Sequence, residues 1–301
     1  MGLHIVVGAG PVGTALAREL LNRDEQVRVV TRSGSGIDGV EKAKGDARDP
    51  VRLTELTAGA TAIYNCVNPP YHRWAQEWPA VSAALISAAE ANGAVLASTA
   101  NLYGYGPVTA PMTEQTPLAA RGTKGKVRNQ MWRDALAAHE AGRIRAFEVR
   151  GSDYLGGNSL LSMIVTPAWR KGRRALLPAD LDTVHTFTDV RDVARLLITG
   201  VSDERAWGKP WHVPSPEAVT IRDVTAVAAQ QLGVANKVGA LPYSAVWLAG
   251  LFNPTIKELR ETQHQFRKPF VLDSTAARET FGLKPESVED SVRYDLENNP
   301  A

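Results

Sequence analysis

The chain has 301 residues, with 34 Lys and Arg against 32 Asp and Glu, and therefore a formal net charge of +2. Hydrophobic residues make up 44% and charged residues 22%, values typical of a globular protein, which exclude a coiled coil, a collagen-like rod or a disordered chain as a description of the whole. The near balance of charge gives no electrostatic reason to expect nucleic acid as a partner.

Strand and helix patterns alternate along the first half of the chain. Short apolar runs predict strands at residues 3–7, 27–30, 40–44, 62–65, 95–98 and 146–149. Helical spacing predicts helices at residues 11–21, 74–91 and 127–141. This order predicts an α/β fold with a doubly wound, Rossmann-like parallel sheet, whose strand-end loops meet at one edge.

The alternation weakens after Arg150, although a strand end running into a helix is predicted at 186–197 and an amphipathic helix at 220–232. We therefore predict a dinucleotide-binding domain at residues 1–150. Residues 151–301 are predicted to form a smaller substrate-binding or lid subdomain that is not independent.

A glycine-rich loop follows the first predicted strand and opens the first predicted helix. Gly8, Gly10 and Gly13 fit the spacing G-x-G-x-x-G, which permits a tight turn, close approach to a pyrophosphate and close packing of the helix on the strand. The helix N-terminus supplies free N–H groups to the anion. The loop therefore predicts a dinucleotide cofactor; a glycine-rich turn without a ligand is the alternative.

The second predicted strand ends in Thr31-Arg32-Ser33 and carries no acidic residue to bind the ribose 2′-hydroxyl of NAD. The guanidinium of Arg32 suits the 2′-phosphate of NADP. The sequence therefore favours NADP(H) over NAD(H).

Further segments, taken in order, resemble the short-chain dehydrogenase/reductase superfamily, and within it the extended NAD(P)-dependent epimerase/dehydratase family. These segments are 8–13, 45–49, 65–68, 98–104, 149–156, 187–194, 211–213 and 270–285. The resemblance covers nearly the whole chain. Together with the glycine loop and the second strand, it implies cofactor contacts at Gly8, Gly10, Pro11, Val12, Gly13, Arg32, Ser33, Asp46, Ala47, Asn65, Cys66, Val67 and Lys126.

The resemblance also implies a catalytic Ser or Thr followed by Tyr-x-x-x-Lys, in which the tyrosine moves a proton and the lysine lowers its pKa. Thr99 matches the first position, and spacing places the lysine at Lys126, with Gly122 in the tyrosine position. A rival register places Arg128 on the lysine position and Lys124 on that of the tyrosine. Neither register supplies the tyrosine.

Three interpretations follow from the missing tyrosine. The protein is an oxidoreductase or epimerase in which Lys126, Tyr103 or Tyr105 supplies the proton, acting on a small carbonyl or hydroxyl compound. Alternatively, it catalyses a different step with other residues, or it is a non-catalytic NADP-binding sensor or interaction module. The catalytic candidates are Thr99, Lys126 and Tyr103.

Two strand-end loops carry aromatic and polar residues suited to a substrate. Asn68–Trp74 follows the fourth predicted strand, and residues 151–158 follow the sixth. The candidate substrate-binding residues are Tyr71, His72, Trp74, Asp153, Tyr154, Asn158 and His185. The resemblance places His185 at the position where nucleotide-sugar epimerases have an arginine that binds a diphosphate. A histidine there argues against a nucleoside-diphosphate sugar as the substrate.

The remaining expectations concern partners and compartment. The six histidines show no metal-ligand spacing, so we expect no metal. A single cysteine and the absence of a signal-peptide pattern favour the cytoplasm, with no membrane partner. A small-molecule substrate is expected, and the resemblance allows a homodimer.

Overall fold

The computed structural model describes residues 2–252 and 254–299. Its strands, in chain order, are β1 (Leu3–Val7), β2 (Gln26–Thr31), β3 (Glu41–Lys44), β4 (Ala60–Asn65), β5 (Val95–Asn101), β6 (Arg145–Gly151), β7 (Asp153–Leu155), β8 (Ala175–Leu177), β9 (Val184–His185), β10 (Phe187–Asp189), β11 (Pro210–His212), β12 (Val219–Thr220) and β13 (Val238–Ala240).

Its helices are α1 (Pro11–Leu21), α2 (Pro50–Leu56), α3 (Trp74–Asn92), α4 (Thr123–Glu140), α5 (Thr166–Arg170), α6 (Val190–Ser202), α7 (Ile221–Leu232), α8 (Tyr243–Ala249), α9 (Pro254–Thr262), α10 (Thr275–Phe281) and α11 (Val288–Asn298). Among the described residues, no helix combines the length and the apolar character needed to cross a membrane.

Seven parallel strands form the central sheet in the order β11-β6-β5-β4-β1-β2-β3. Helices α1 and α6 cover one face, while α2, α3 and α4 cover the other. Strands β1, β4 and β5 carry buried apolar residues on both faces, because both faces are covered. The predicted doubly wound, Rossmann-like sheet is confirmed.

The strand order reverses between β1 and β4, which are neighbours although β2 and β3 lie between them in the chain. In such sheets the loops at the carboxyl ends of the strands diverge at this reversal and leave a crevice between them. The fold therefore places the glycine loop after β1 next to the loop after β4.

The region after β6 adds three two-stranded sheets around a smaller core of its own. It also returns β11 to the edge of the central sheet, where Trp211 pairs in register with Val149. In the sequence, residues 211–213 stand out only as part of the family resemblance. A strand of three residues is too short for apolar periodicity to predict it as the seventh strand of the sheet.

The predicted elements agree with the structure to within a few residues; the largest differences are at the end of α6, which runs to Ser202 instead of residue 197, and at the start of α4. The pattern predicted a helix from residue 127, whereas α4 begins at Thr123. Its first turn reads Thr-Lys-Gly-Lys, which has no apolar periodicity to mark a helix. This difference decides which basic residues share a face.

Gly13 allows α1 to lie directly against the end of β1. A Cβ atom added at Gly13 would stand 2.0 Å from the carbonyl oxygen of Gly8, whereas one added at Gly10 would meet no heavy atom within 4 Å. We expect Gly13→Ala to lower the free energy of unfolding by about 1–3 kcal/mol, because the backbone must shift. Urea denaturation measures this change.

Gly10→Ser is the matched control for this prediction. Gly10 is the N-cap of α1 with an extended backbone, and serine is a favourable N-cap residue. We expect its free energy of unfolding to stay within about 0.5 kcal/mol of the wild type. Equal stability of Gly13→Ala and Gly10→Ser would contradict the proposed contact.

Candidate active site

A cavity of about 650 Å³ opens at the carboxyl edge of the central sheet, above the strand reversal. The loops after β1, β2, β3, β4, β5 and β6 all contribute to its walls. The predicted residues that line it are Gly8, Gly10, Pro11, Val12, Arg32, Ser33, Asp46, Ala47, Cys66, Val67, Tyr71, Trp74, Thr99, Tyr103, Asp153, Tyr154 and Asn158.

The glycine loop presents an open backbone surface to this cavity. Gly8 has φ = 104°, in the left-handed region, and an added Cβ would lie 2.6 Å from the carbonyl oxygen of Cys66. The first turn of α1 carries no acidic residue. Space at Gly10 and free N–H groups at a helix N-terminus fit a pyrophosphate.

Two arginines flank the part of the cavity beyond β2. Arg32 is exposed, and Arg48 holds the carboxylate of Asp46 through a contact of 2.6 Å from Nη2 to Oδ2. The hydrogen bonds from Arg48 lower the pKa of Asp46. This carboxylate is therefore already paired, which leaves a cationic environment at the tip of β2.

The start of α4 does not bring Lys126 to the cavity. Lys126 is exposed, whereas Lys124 and Arg128 are buried, with 1% and 8% of their surfaces accessible. Two residues correspond to about 200° around a helix, so Lys126 lies on the opposite face from both. The rival register, with Lys124 and Arg128 four residues apart, is the one that faces the protein.

Lys124 is held by two carboxylates from the C-terminal region. Its Nζ lies 2.5 Å from Oε2 of Glu258 and 3.4 Å from Oε2 of Glu261, both on α9. The ammonium group also lies 5.6 Å from the centre of the Tyr71 ring. Tyr71 thus packs over the residue that occupies the family's tyrosine position in this register.

Arg128 reaches the cavity from beneath the loop after β5. Its Nη1 donates a hydrogen bond to the carbonyl oxygen of Thr99 at 3.3 Å. Its guanidinium carbon lies 4.7 Å and 4.4 Å from the ring centres of Trp74 and Trp78. The two indoles are four residues apart on α3, and both pack against this cation.

A pair of phenols lies beside Arg128. The hydroxyl oxygens of Tyr71 and Tyr103 are 2.8 Å apart. Burial raises the pKa of both phenols, and the nearby negative charge of Asp153 raises it further. Both phenols therefore keep their protons near neutral pH. The hydrogen bond between the two hydroxyls uses one of these protons, so the second hydroxyl can donate its proton into the cavity.

The wall opposite the phenols carries Thr99 and Cys66. Their Oγ1 and Sγ atoms are 3.8 Å apart, and burial raises the pKa of the Cys66 thiol to about 12. The thiol therefore stays protonated and unreactive near neutral pH. Thr99 is the hydroxyl of this wall that a substrate oxygen can meet.

Asp153 and Tyr154 follow β6 at the substrate end. Oδ2 of Asp153 lies 2.7 Å from Nε2 of His185, and the hydroxyl of Tyr154 donates a hydrogen bond to the carbonyl oxygen of Ala100 at 2.6 Å. His185 itself does not line the cavity. Its ring stacks on Phe266, and it contacts the cavity-lining residue Asp153 from outside the cavity wall.

Three further predicted residues also stay outside the cavity wall. His72 is exposed on the turn Tyr71–Arg73, because the adjacent aromatic side chains turn inward. Gly13 packs beneath Gly8. Asn65 is buried, and its side-chain oxygen accepts a hydrogen bond from the backbone N–H of Val67, which shapes the loop instead of facing a ligand.

The sequence predicts a substrate-binding region after residue 150 but does not single out the C-terminal residues that line this site. Gln265 and Phe270 line the cavity, as does Arg48 on the cofactor side. No sequence motif predicts that two carboxylates of α9, Glu258 and Glu261, contact Lys124. A usable signal was the equal spacing of Trp74 with Trp78 and of Lys124 with Arg128, since each pair shares one helical face.

Comparisons with known proteins identify similar proteins at the level of the family and the fold. The model of the NAD dependent epimerase/dehydratase family matches residues 4–212. No match was found among curated proteins.

Solved structures with a similar fold include UDP-glucose 4-epimerase from Brucella ovis in complex with NAD, at 14% identity and a TM-score of 0.81, covering 99% of this chain and 98% of that one. The UDP-glucose 4-epimerase from Thermotoga maritima, with UDP-glucose, is 15% identical with a TM-score of 0.81, over 98% of each chain. The dTDP-glucose 4,6-dehydratase from Bacillus anthracis, in complex with NAD, is 14% identical with a TM-score of 0.79, over 99% and 97%.

The burial of Lys124 generates a stability prediction. Lys124→Ala leaves the carboxylates of Glu258 and Glu261 without their cation; because each is about a quarter exposed, we expect a loss of about 2 kcal/mol in the free energy of unfolding. Thermal and urea denaturation measure it. Lys126→Ala, on the exposed face of the same helix, should change it by less than about 0.5 kcal/mol. A larger loss for Lys126→Ala would reverse the assigned faces.

Proposed function

Because the chain belongs to the NAD-dependent epimerase/dehydratase family, we propose that it is an NADP(H)-dependent oxidoreductase that acts on a carbonyl or hydroxyl group of a small molecule. The observation that carries the proposal is the meeting, in one cavity, of an open glycine loop, a half-buried phenol pair and a buried arginine. The first suits a dinucleotide, and the others suit proton transfer at a substrate oxygen.

The choice of NADP(H) rests on the charges beyond β2. Arg32 and Arg48 supply two cations, and the carboxylates nearby are already paired, because Arg48 contacts Asp46 at 2.6 Å and Glu77 at 4.0 Å. A 2′-phosphate would meet a charge-assisted contact from Arg32, whereas the 2′-hydroxyl of NAD would find no free carboxylate. The structural neighbours that hold NAD are too distant in sequence to decide this preference.

In this proposal bound NADP(H) supplies or accepts a hydride. The protein's own residues handle the accompanying proton. Tyr71 and Tyr103 hold a phenolic proton next to the cavity, and burial keeps it on oxygen until a stronger base forms there. Thr99 orients the substrate oxygen with its hydroxyl. Arg128 lies beside the phenols and supplies a positive charge to this part of the cavity.

The region after residue 150 supplies the substrate end. Asp153 and Tyr154 come from the loop and strand that follow β6, and Gln265 and Phe270 approach from the C-terminal region. These side chains mix aromatic surface with a carboxylate backed by His185. Such a wall suits a small, partly apolar compound.

Cofactor preference is tested by titrating the purified protein with NADPH and with NADH, using tryptophan fluorescence. We expect NADPH to bind more tightly. We expect Arg32→Ala to weaken NADPH binding about 10- to 100-fold and NADH binding less than twofold, since one charge-assisted hydrogen bond is lost.

Arg52→Ala is the matched control for this titration. Arg52 is exposed on α2, pairs with Glu55 and does not line the cavity. It should leave both affinities unchanged. Equal or tighter binding of NADH by the wild type would overturn the NADP(H) proposal while leaving the dinucleotide site itself standing.

The phenol pair is tested by turnover. In NADPH oxidation with a panel of aldehydes and ketones, we expect Tyr71→Phe and Tyr103→Phe each to lower kcat at least about 100-fold, because a positioned general acid is lost. The double variant should lose little more than the worse single one, since the phenols act as a unit. NADPH binding should persist in all three.

Tyr243→Phe is the control for turnover, because Tyr243 lies outside the cavity. Full activity of both cavity variants would exclude the phenols as the proton source. Tight NADPH binding with no oxidation of NADPH by any substrate would instead favour a non-catalytic NADP-binding module.

A further inference from the structure

Arg128 is a buried cation without a carboxylate partner. It is 8% exposed, and among residues 2–252 and 254–299 no carboxylate oxygen lies within 4 Å of its guanidinium nitrogens. Its one hydrogen bond in this part of the chain goes to the carbonyl oxygen of Thr99, and its Nε is buried without a partner. An unpaired buried charge is costly, so this arrangement calls for a ligand.

The surrounding charges do not compensate Arg128. Glu148 is the buried carboxylate that acts most strongly on it, but Oε1 of Glu148 accepts a 2.8 Å hydrogen bond from Nε of Arg150. Two arginines thus share one carboxylate. Asp153, whose negative charge acts on the phenols, lies 2.7 Å from His185 and makes no ion pair with Arg128. Among the described residues, Arg128 therefore has no carboxylate in direct contact to neutralise it.

The packing around Arg128 selects the geometry of its ligand. Trp74 and Trp78 pack on neighbouring sides of the guanidinium group, with ring centres 4.7 Å and 4.4 Å from its central carbon and ring planes 85° apart. The edge of a guanidinium group matches a planar carboxylate through two parallel hydrogen bonds, and Nε of Arg128 has no partner among the described residues. Tyr71, Tyr103 and Phe270 supply apolar surface to the same cavity.

We propose that Arg128 binds a carboxylate of the substrate, so that the oxidoreductase acts on a small organic acid with an apolar or aromatic body. This inference rests on the proposed function in that it names the substrate class for the same cavity. The reacting carbonyl or hydroxyl would lie at the Tyr71–Tyr103 pair, and the carboxylate would neutralise the guanidinium group behind it.

The test compares benzoate with its neutral counterpart benzamide, in the free protein and in the protein saturated with NADPH. Trp74 and Trp78 make tryptophan fluorescence a direct reporter, and calorimetry gives an independent affinity. We expect benzoate to bind at least tenfold more tightly than benzamide. Equal binding of the two would overturn the proposal.

Three variants assign the effect to one residue. Arg128→Gln should remove the preference for benzoate, and Arg128→Lys should retain part of it, because an ammonium group keeps the charge but loses the paired geometry. Arg133→Gln removes an exposed charge from the same helix and should leave the preference intact. An undiminished preference in Arg128→Lys and Arg128→Gln would overturn the proposal. If Arg128→Gln does not fold, Arg128→Lys decides alone.

NADPH titration of the same variants separates this inference from the proposed function. Loss of NADPH binding in Arg128→Gln, with no preference for benzoate in the wild type, would assign the guanidinium group to the cofactor and overturn the substrate proposal. Preference for benzoate in a wild-type protein that binds no NADPH would support the carboxylate site while overturning the oxidoreductase.

Discussion

The close contact of α1 with the end of β1 is the constraint on which the rest of the site depends. Because Gly13 has no side chain, the helix begins directly against the carbonyl of Gly8, and its N-terminus points across the strand reversal. The same turn sets Gly8 against the backbone of Cys66 at the end of β4. Loops from both halves of the sheet therefore converge on one cavity, and every later chemical argument concerns residues that this convergence brings together.

The proposed proton chemistry uses different elements from those that the family resemblance implies. Where the resemblance places tyrosine and lysine, the buried face of α4 carries Lys124 and Arg128, and the Lys124 ammonium is held by carboxylates of α9. A tyrosine returns from another element, since Tyr71 in the loop after β4 packs over Lys124 and reaches Tyr103. A phenol can thus occupy the reacting end without standing in the helix.

Sequence reasoning could predict the parts of the fold that depend on local periodicity. The central strands, α1 and α3 follow from apolar spacing, and the glycine loop follows from backbone sterics, which neighbouring residues alone determine. The start of α4 could not be predicted in this way, because its first turn is polar and its burial is created by α9, more than 130 residues later. The register that favours Lys126 therefore differs from the one that places Arg128 on the buried face of α4 by two positions, which is about 200° of orientation.

The near-neutral net charge conceals a segregation of charge that matters more than the total. Arg32 and Arg48 stand beyond β2, and Arg128 stands beside the phenol pair, whereas Asp46 is engaged by Arg48 and Glu148 by Arg150. Burial strengthens the effect of the Arg128 charge in particular, because less water is present to screen it. The two proposed ligands together would supply the anionic groups that this distribution of charge calls for: a dinucleotide phosphate near Arg32 and the carboxylate of an organic acid at Arg128.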